Sequence, residues 1–239
     1  MNRRSLTLGA FGCAVMCGIT MLAIPSLVVA NEIDTLSSWD GWTCVPGALG
    51  EPLAGYTGQS FLALGDQVDS ISFMLDGQDD ASSIANDATE FRLLLTPLAA
   101  TGDRPDFDDV LFESRNLTTS LNSGFELFTV PIGISVVPGV SYMWVLDAFV
   151  LFDGEEGFSD IAANTFGKPD AYIDGEFFFY SVDKSSPGVR SNHDDEAWWT
   201  YGTGRDAAFR VSFTPEPHSW LLTASIAGFC CIYRRRTIG

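Results

Sequence analysis

The stretch Asp206-Ala207-Ala208-Phe209-Arg210-Val211-Ser212-Phe213 puts Ala207, Phe209, Val211 and Phe213 at every second position, with Arg210 between them. Side chains of an extended chain point alternately to opposite faces, so a period of two describes a strand with one buried face and one wet face. The same pattern recurs upstream. In residues 68–75, Ile71, Phe73 and Leu75 share a face, with Asp69, Ser70 and Ser72 between and beside them. Residues 90–96 alternate Phe91, Leu93 and Leu95 with Arg92, Leu94 and Thr96, and residues 140–148 align Val140, Tyr142, Trp144, Leu146 and Ala148. Residues 125–132 and the aromatic run 176–182 complete the strand set.

Turn residues punctuate these runs, among them Asp76-Gly77, Asn122-Ser123-Gly124, Pro138-Gly139 and Asp174-Gly175. No segment sustains a helical period for the length a stable helix needs. The pattern predicts an all-β fold, an antiparallel β-sandwich of jelly-roll type with two sheets over one apolar core. Residues 31–58, rich in Gly, Pro and Ser, are expected to wrap the edge of the domain before its first strand.

The two ends of the chain read differently. Arg3-Arg4, an apolar run over residues 6–22, Pro25, and small residues at Val28 and Ala30 have the three regions of a secretory signal peptide. Cleavage after Ala30 would start the mature chain at Asn31; an uncleaved N-terminal anchor is the competing reading. At the other end come Thr214-Pro215-Glu216-Pro217, an apolar run over residues 220–233, and Arg234-Arg235-Arg236. The prolines fix φ and remove backbone donors, so this segment stays extended. The apolar run is short for a membrane helix, and snorkelling arginines would complete the span. Arginines at both ends keep those ends on the cytoplasmic side, and the middle goes out.

The order Pro-Glu-Pro, apolar helix, terminal arginine cluster resembles the PEP-CTERM sorting signal of exported bacterial proteins. The resemblance implies processing by an exosortase, a membrane-embedded transpeptidase of an exopolysaccharide-producing surface pathway. On it, Pro215, Glu216 and Pro217 are the recognition element, and Arg234, Arg235 and Arg236 the retention charge. The chain then divides into a signal helix (1–30), a β-sandwich ectodomain (31–213) and a sorting signal with a transmembrane helix (214–239). Gly58-Gln59-Ser60-Phe61, Leu111-Phe112-Glu113-Ser114, Pro138-Gly139-Val140-Ser141-Tyr142 and Phe209-Arg210-Val211 look like the β-sandwich ectodomains that precede such tails. Those folds are similar to carbohydrate-binding modules, and no catalytic residues come with them.

Composition narrows the partners. The formal net charge is -18, and Arg3, Arg4, Arg234, Arg235 and Arg236 all lie in the ends, so the middle is more acidic still. Such a surface repels nucleic acid and anionic lipid and collects cations. Cys13 and Cys17 fall in the leader and Cys230 and Cys231 in the tail, leaving Cys44 without an intramolecular partner for a disulfide.

Three constellations carry possible chemistry. Acidic loops offer oxygen ligands for calcium at Asp76, Asp79, Asp80 and Asp87, or at Asp103, Asp106, Asp108 and Asp109, against the plain reading of solvated loops. Trp198, Trp199 and Tyr201, with the run Phe177-Phe178-Phe179-Tyr180, would stack on sugar rings if exposed on one sheet; core packing is the plain reading. In that run, alternate residues must face opposite ways, so two need either solvent or a covering loop. Catalysis has the least support. The histidines are His193 and His218, and no nucleophile elbow, zinc motif or phosphate-cradling glycine loop is present. A glycoside hydrolase or lyase needs only two suitably spaced carboxylates, so it stays as an alternative behind a non-catalytic surface protein and a carbohydrate-binding module.

Overall fold

The computed structural model describes residues 31–50, 55–77, 88–102, 104–120, 124–152, 157–164, 170–180, 198–200 and 205–214. The strands are β1 (Asn31–Asp34), β2 (Thr43–Gly50), β3 (Tyr56–Leu62), β4 (Gln67–Gly77), β5 (Glu90–Pro97), β6 (Phe112–Glu113) and β7 (Leu117–Thr118). They continue as β8 (Phe125–Ser135), β9 (Ser141–Asp147), β10 (Phe158–Ala162), β11 (Phe177–Tyr180), β12 (Trp199–Thr200) and β13 (Phe209–Thr214). The helical elements among the described residues are two 3-10 turns, Leu36–Ser38 and Phe149–Leu151. No helix among these residues is long and apolar enough to cross a membrane. The leader over residues 1–30 and the tail from Pro215, with its arginines Arg234, Arg235 and Arg236, lie outside the described residues.

The strands form two sheets, and every pairing between them is antiparallel. In the six-stranded sheet, β8 occupies one edge of the long strand β4, so β13 and β10 share the other, β13 opposite Gln67 to Phe73 and β10 opposite Leu75 to Gly77. The outer partners there are β1 on β13 and β2 on β10. The seven-stranded sheet runs β12-β11-β3-β9-β5, with β6 and β7 both on β5. From β8 to β11 each strand lies in the opposite sheet from the one before, so the chain winds around its own core. The face assignments read from periodicity hold within the strands, but Val140, aligned with the inward face of residues 140–148, precedes β9 and is 41% exposed. Ile71, Phe73 and Leu75, Phe91, Leu93 and Leu95, Tyr142, Trp144 and Leu146, and Phe209, Val211 and Phe213 all meet in the core between the sheets.

The expectation for residues 31–58 is corrected. That stretch supplies β1, β2 and the start of β3, and β3 is an interior strand between β9 and β11. Both faces of β3 are covered, so Tyr56, Thr57, Gln59 and Phe61 are all buried and no alternation survives in the sequence. Gly58 is required by close packing: a Cβ there would stand 2.3 Å from the Trp144 carbonyl oxygen on β9.

The exit from β1 is tied down by side-chain hydrogen bonds. Thr35 Oγ1 accepts from the Phe209 amide at 2.8 Å and donates to the Ala207 carbonyl at 2.8 Å, which fixes the end of β1 against the start of β13. A buried hydroxyl network joins β10 to the residues before β5 and after β7: Ser159 Oγ donates to Thr89 Oγ1 at 2.9 Å, and the Thr89 amide donates to Thr119 Oγ1 at 3.0 Å. Buried hydroxyls with partners are tolerated where bare ones would each destabilise the fold.

Candidate functional site

The aromatic run of β11 splits as its period demands. Phe177 points into the core between the sheets, while Phe178 and Tyr180 point to the outer face of the seven-stranded sheet. There they join Tyr56, Leu94, Met143, Val145 and Phe149 in a second apolar cluster. This face is covered by the segment carrying Leu98, Phe107 and Val110, by Phe152, and by Trp198. The Trp198 ring lies 5.5 Å from Tyr180, 5.9 Å from Tyr56 and 6.0 Å from Phe107, spacings typical of packed aromatic pairs. Trp198 is half-buried and serves as part of the cover. Trp199 lies on the edge strand β12, and Tyr201 lies outside the described residues. The loop cover anticipated for this run is therefore what Phe178 and Tyr180 receive.

A polar cluster bridges the two sheets at another point. Gln59 reaches from β3 to the opposite sheet, where its Oε1 accepts from the Ala207 amide at 2.9 Å and its Nε2 donates to Asp206 Oδ1 at 2.9 Å. Asp206 Oδ2 accepts from the Tyr172 amide at 2.8 Å, and the same amide approaches Asp170 Oδ1 at 3.1 Å. The Tyr172 hydroxyl in turn accepts from the Leu62 amide at 2.9 Å. Asp206 is 1% exposed. Burial first, and then the hydrogen bond with the Asp170 carboxyl, push Asp206 up to about 7. Burial also raises Tyr172, with Asp174 and Asp206 adding to the effect. Both carboxylates converge on the Tyr172 amide.

Two consequences can be measured. A carboxyl whose folded pKa exceeds its unfolded value adds stability that is whole below about pH 4 and is lost as the pH climbs to about 7. The melting temperature should therefore fall by on the order of a few degrees across that window, and Asp206→Asn should flatten the slope. An unchanged slope in that variant would assign the trend to surface repulsion instead. Separately, Gln59→Leu strands the Ala207 amide and one Asp206 oxygen in the interior; denaturant melts should show a loss of about 3 kcal/mol.

Asp206 is not placed for glycoside hydrolysis: that chemistry needs two carboxyls with sugar between them, whereas Asp206 is closed to solvent. Sequence reasoning passed over Gln59, Asp170, Tyr172 and Asp206. Gln59 and Asp206 are polar residues beside apolar runs, and Asp170 and Tyr172 precede the Asp174-Gly175 turn, so none carries a local signal of the others.

The acidic loops are partly in view. Asp76 Oδ1 accepts from the Gly124 amide at 3.0 Å, and Asp106 Oδ1 accepts from the Asp108 amide at 3.1 Å. Asp76 thus ties the end of β4 to the start of β8 and Asp106 closes a local turn, while Asp108 and Asp109 are exposed. Asp79, Asp80, Asp87 and Asp103 lie outside the described residues. Among the described residues, no three acidic, cysteine or histidine side chains gather closely enough to hold a metal ion.

No protein-family model matches the chain, and no curated protein matches it.

Proposed function

We propose that this chain is an exported, surface-sorted protein whose tail is the substrate of an exosortase. In this reading, the body is a non-catalytic β-sandwich of jelly-roll type, carried through the membrane by the leader over residues 1–30. It is held by the helix over residues 220–233 until processing and afterwards serves at the cell surface or in the exopolysaccharide matrix. The reading rests mainly on the tripartite tail Pro215-Glu216-Pro217, apolar run and Arg234-Arg235-Arg236.

One observation of the fold supports it. Asn31, the first residue after the expected leader cleavage, is paired with Phe213, the last residue of the expected body. The core residues in view, from Ile33 to Phe213, all lie between those two positions or at the second of them. The winding of successive strands between the sheets supports the jelly-roll type.

Intact-mass analysis of the natural product tests the proposal. The expected mass is that of a chain beginning at Asn31 and shortened near the Pro-Glu-Pro element. A cytosolic product carrying both Met1 and Gly239 would overturn it.

A further inference from the structure

One end of the sandwich gathers the start of β1, the end of β13 and an apolar tip. Asn31 pairs with Phe213, and its side chain donates to the Leu64 carbonyl at 2.8 Å. Thr214 passes so close to the β3–β4 connection that a Cβ on Gly65 would stand 2.7 Å from the Thr214 carbonyl oxygen. The β8–β9 connection joins them: the Ala63 amide donates to the Val140 carbonyl at 3.0 Å, and the Gly139 amide to the Ala63 carbonyl at 2.9 Å. The Val136 amide donates to the Asp66 carbonyl at 2.8 Å.

The corners of this tip are apolar. The turn closed by the Val140 amide on the Val137 carbonyl has Pro138-Gly139 at its centre, as turns favour, but valine at both ends. Val137 is 60% exposed, Leu64 42% and Val140 41%. The Ala63–Val140 and Val140–Val137 hydrogen bonds bring these three residues to one tip, and a cluster of exposed apolar residues is a candidate contact surface. Neither connection carries a lysine or arginine, and Asp66 sits among them, so the tip suits an uncharged polar-apolar boundary better than an anionic one.

The tail says which boundary. Five residues separate Thr214 from Trp220, the start of the apolar run, so that run begins within about 20 Å of the tip. We infer that the tip formed by Leu64, Val137 and Val140 rests on the surface of a zwitterionic bilayer while the tail is anchored, and so presents the body in a fixed orientation. This inference depends on the membrane-anchored precursor proposed above. Tethering makes the contact intramolecular, so a shallow apolar footprint suffices.

The test uses the precursor lacking its leader, in phosphatidylcholine vesicles. Cys44, Cys230 and Cys231 are replaced by alanine, and an environment-sensitive fluorophore is attached at Val137→Cys or, as control, at Leu127→Cys. Leu127 is 58% exposed on β8, the strand that leads to the tip, and lies roughly 27 Å from Ser135 at its end. Nitroxide-bearing lipid should quench the label at position 137 at least threefold more than the label at 127. Equal quenching in protein that floats with the vesicles overturns the inference and leaves the sorting reading intact. Protein that does not float overturns both.

Shielding of position 137 that rises with protein concentration without vesicles would assign the tip to a second copy. Shielding that needs the processing enzyme in the membrane would assign it to that enzyme. Either outcome overturns the lipid contact. Should the cysteine-free chain fail to fold, hydrogen exchange on the unsubstituted precursor reads the same surface: vesicles should slow the amides of Val137, Gly139 and Val140 and leave those of Gly124 to Leu127 unchanged.

Discussion

Replacing Pro215, Glu216 and Pro217 together with alanine is expected to leave the full-length precursor in the membrane fraction, with essentially no shortened product. The two prolines hold φ near its extended value and lack amide hydrogens, so they keep an adjoining apolar helix from growing backwards through the element. Alanine does the opposite: it restores the amides and favours helix more than any other residue, by about 3 kcal/mol over proline at each interior position. The substitution would thus erase the charge of Glu216 and bury the element in an extended helix. The element follows β13, whose last residue is Thr214, so the melting temperature of the body should not move. Normal trimming of the variant would remove the sorting proposal. A changed melting temperature would show that the tail helps hold the body.

Trp144→Ala should lower the stability of the sandwich by about 4 kcal/mol, a large part of the 5 to 15 kcal/mol that such a domain possesses. Trp144 is fully buried at the centre of β9. It stacks on Phe73 of the facing sheet at 5.8 Å and meets Phe209 at 6.0 Å. Phe73 in turn stacks on Phe128 of the neighbouring strand at 5.5 Å, so the indole links a row of rings from Phe128 to Phe209. Its removal takes contacts from both sheets at once, and interleaved strands relax little into the void. Trp144→Phe is the informative control. The indole Nε1 is buried and without a hydrogen-bond partner among the described residues, so its removal strands no acceptor. That variant should therefore lose less than half as much in a denaturant melt. Equal losses in the two variants would mean that the indole hydrogen, and not ring volume, matters at this position.

How the residues could be read depended on how many faces each strand buries. In β13, Phe209, Val211 and Phe213 are buried while Arg210 points outward to Asp34 at 2.9 Å, so composition alone shows which way each side chain goes. In β9 the core face was legible through Tyr142, Trp144 and Leu146. The opposite face was not, because Met143 and Val145 are buried as well, under Phe107 and Phe149. Of the candidate aromatic site, the alternation of Phe177 to Tyr180 was legible. That a loop and Trp198 close over the outward pair was not, since the residues concerned come from segments far apart in the chain.

The amino acids by themselves determined that the body is built of strands, which face of the one-sided strands goes inward, and where the acidic body gives way to arginine-marked apolar ends. Periodicity, turn chemistry and charge are local properties, and a strand expresses them before it meets a partner. Tertiary structure alone decided that β3 runs through the middle of a sheet, that Gln59 and Asp206 meet across an interval of 147 positions, and that Asn31 and Thr214 leave from one apolar end. Those facts depend on which strands pair and in what register. That choice is made by packing two sheets over a shared core, and no single stretch of the chain contains it.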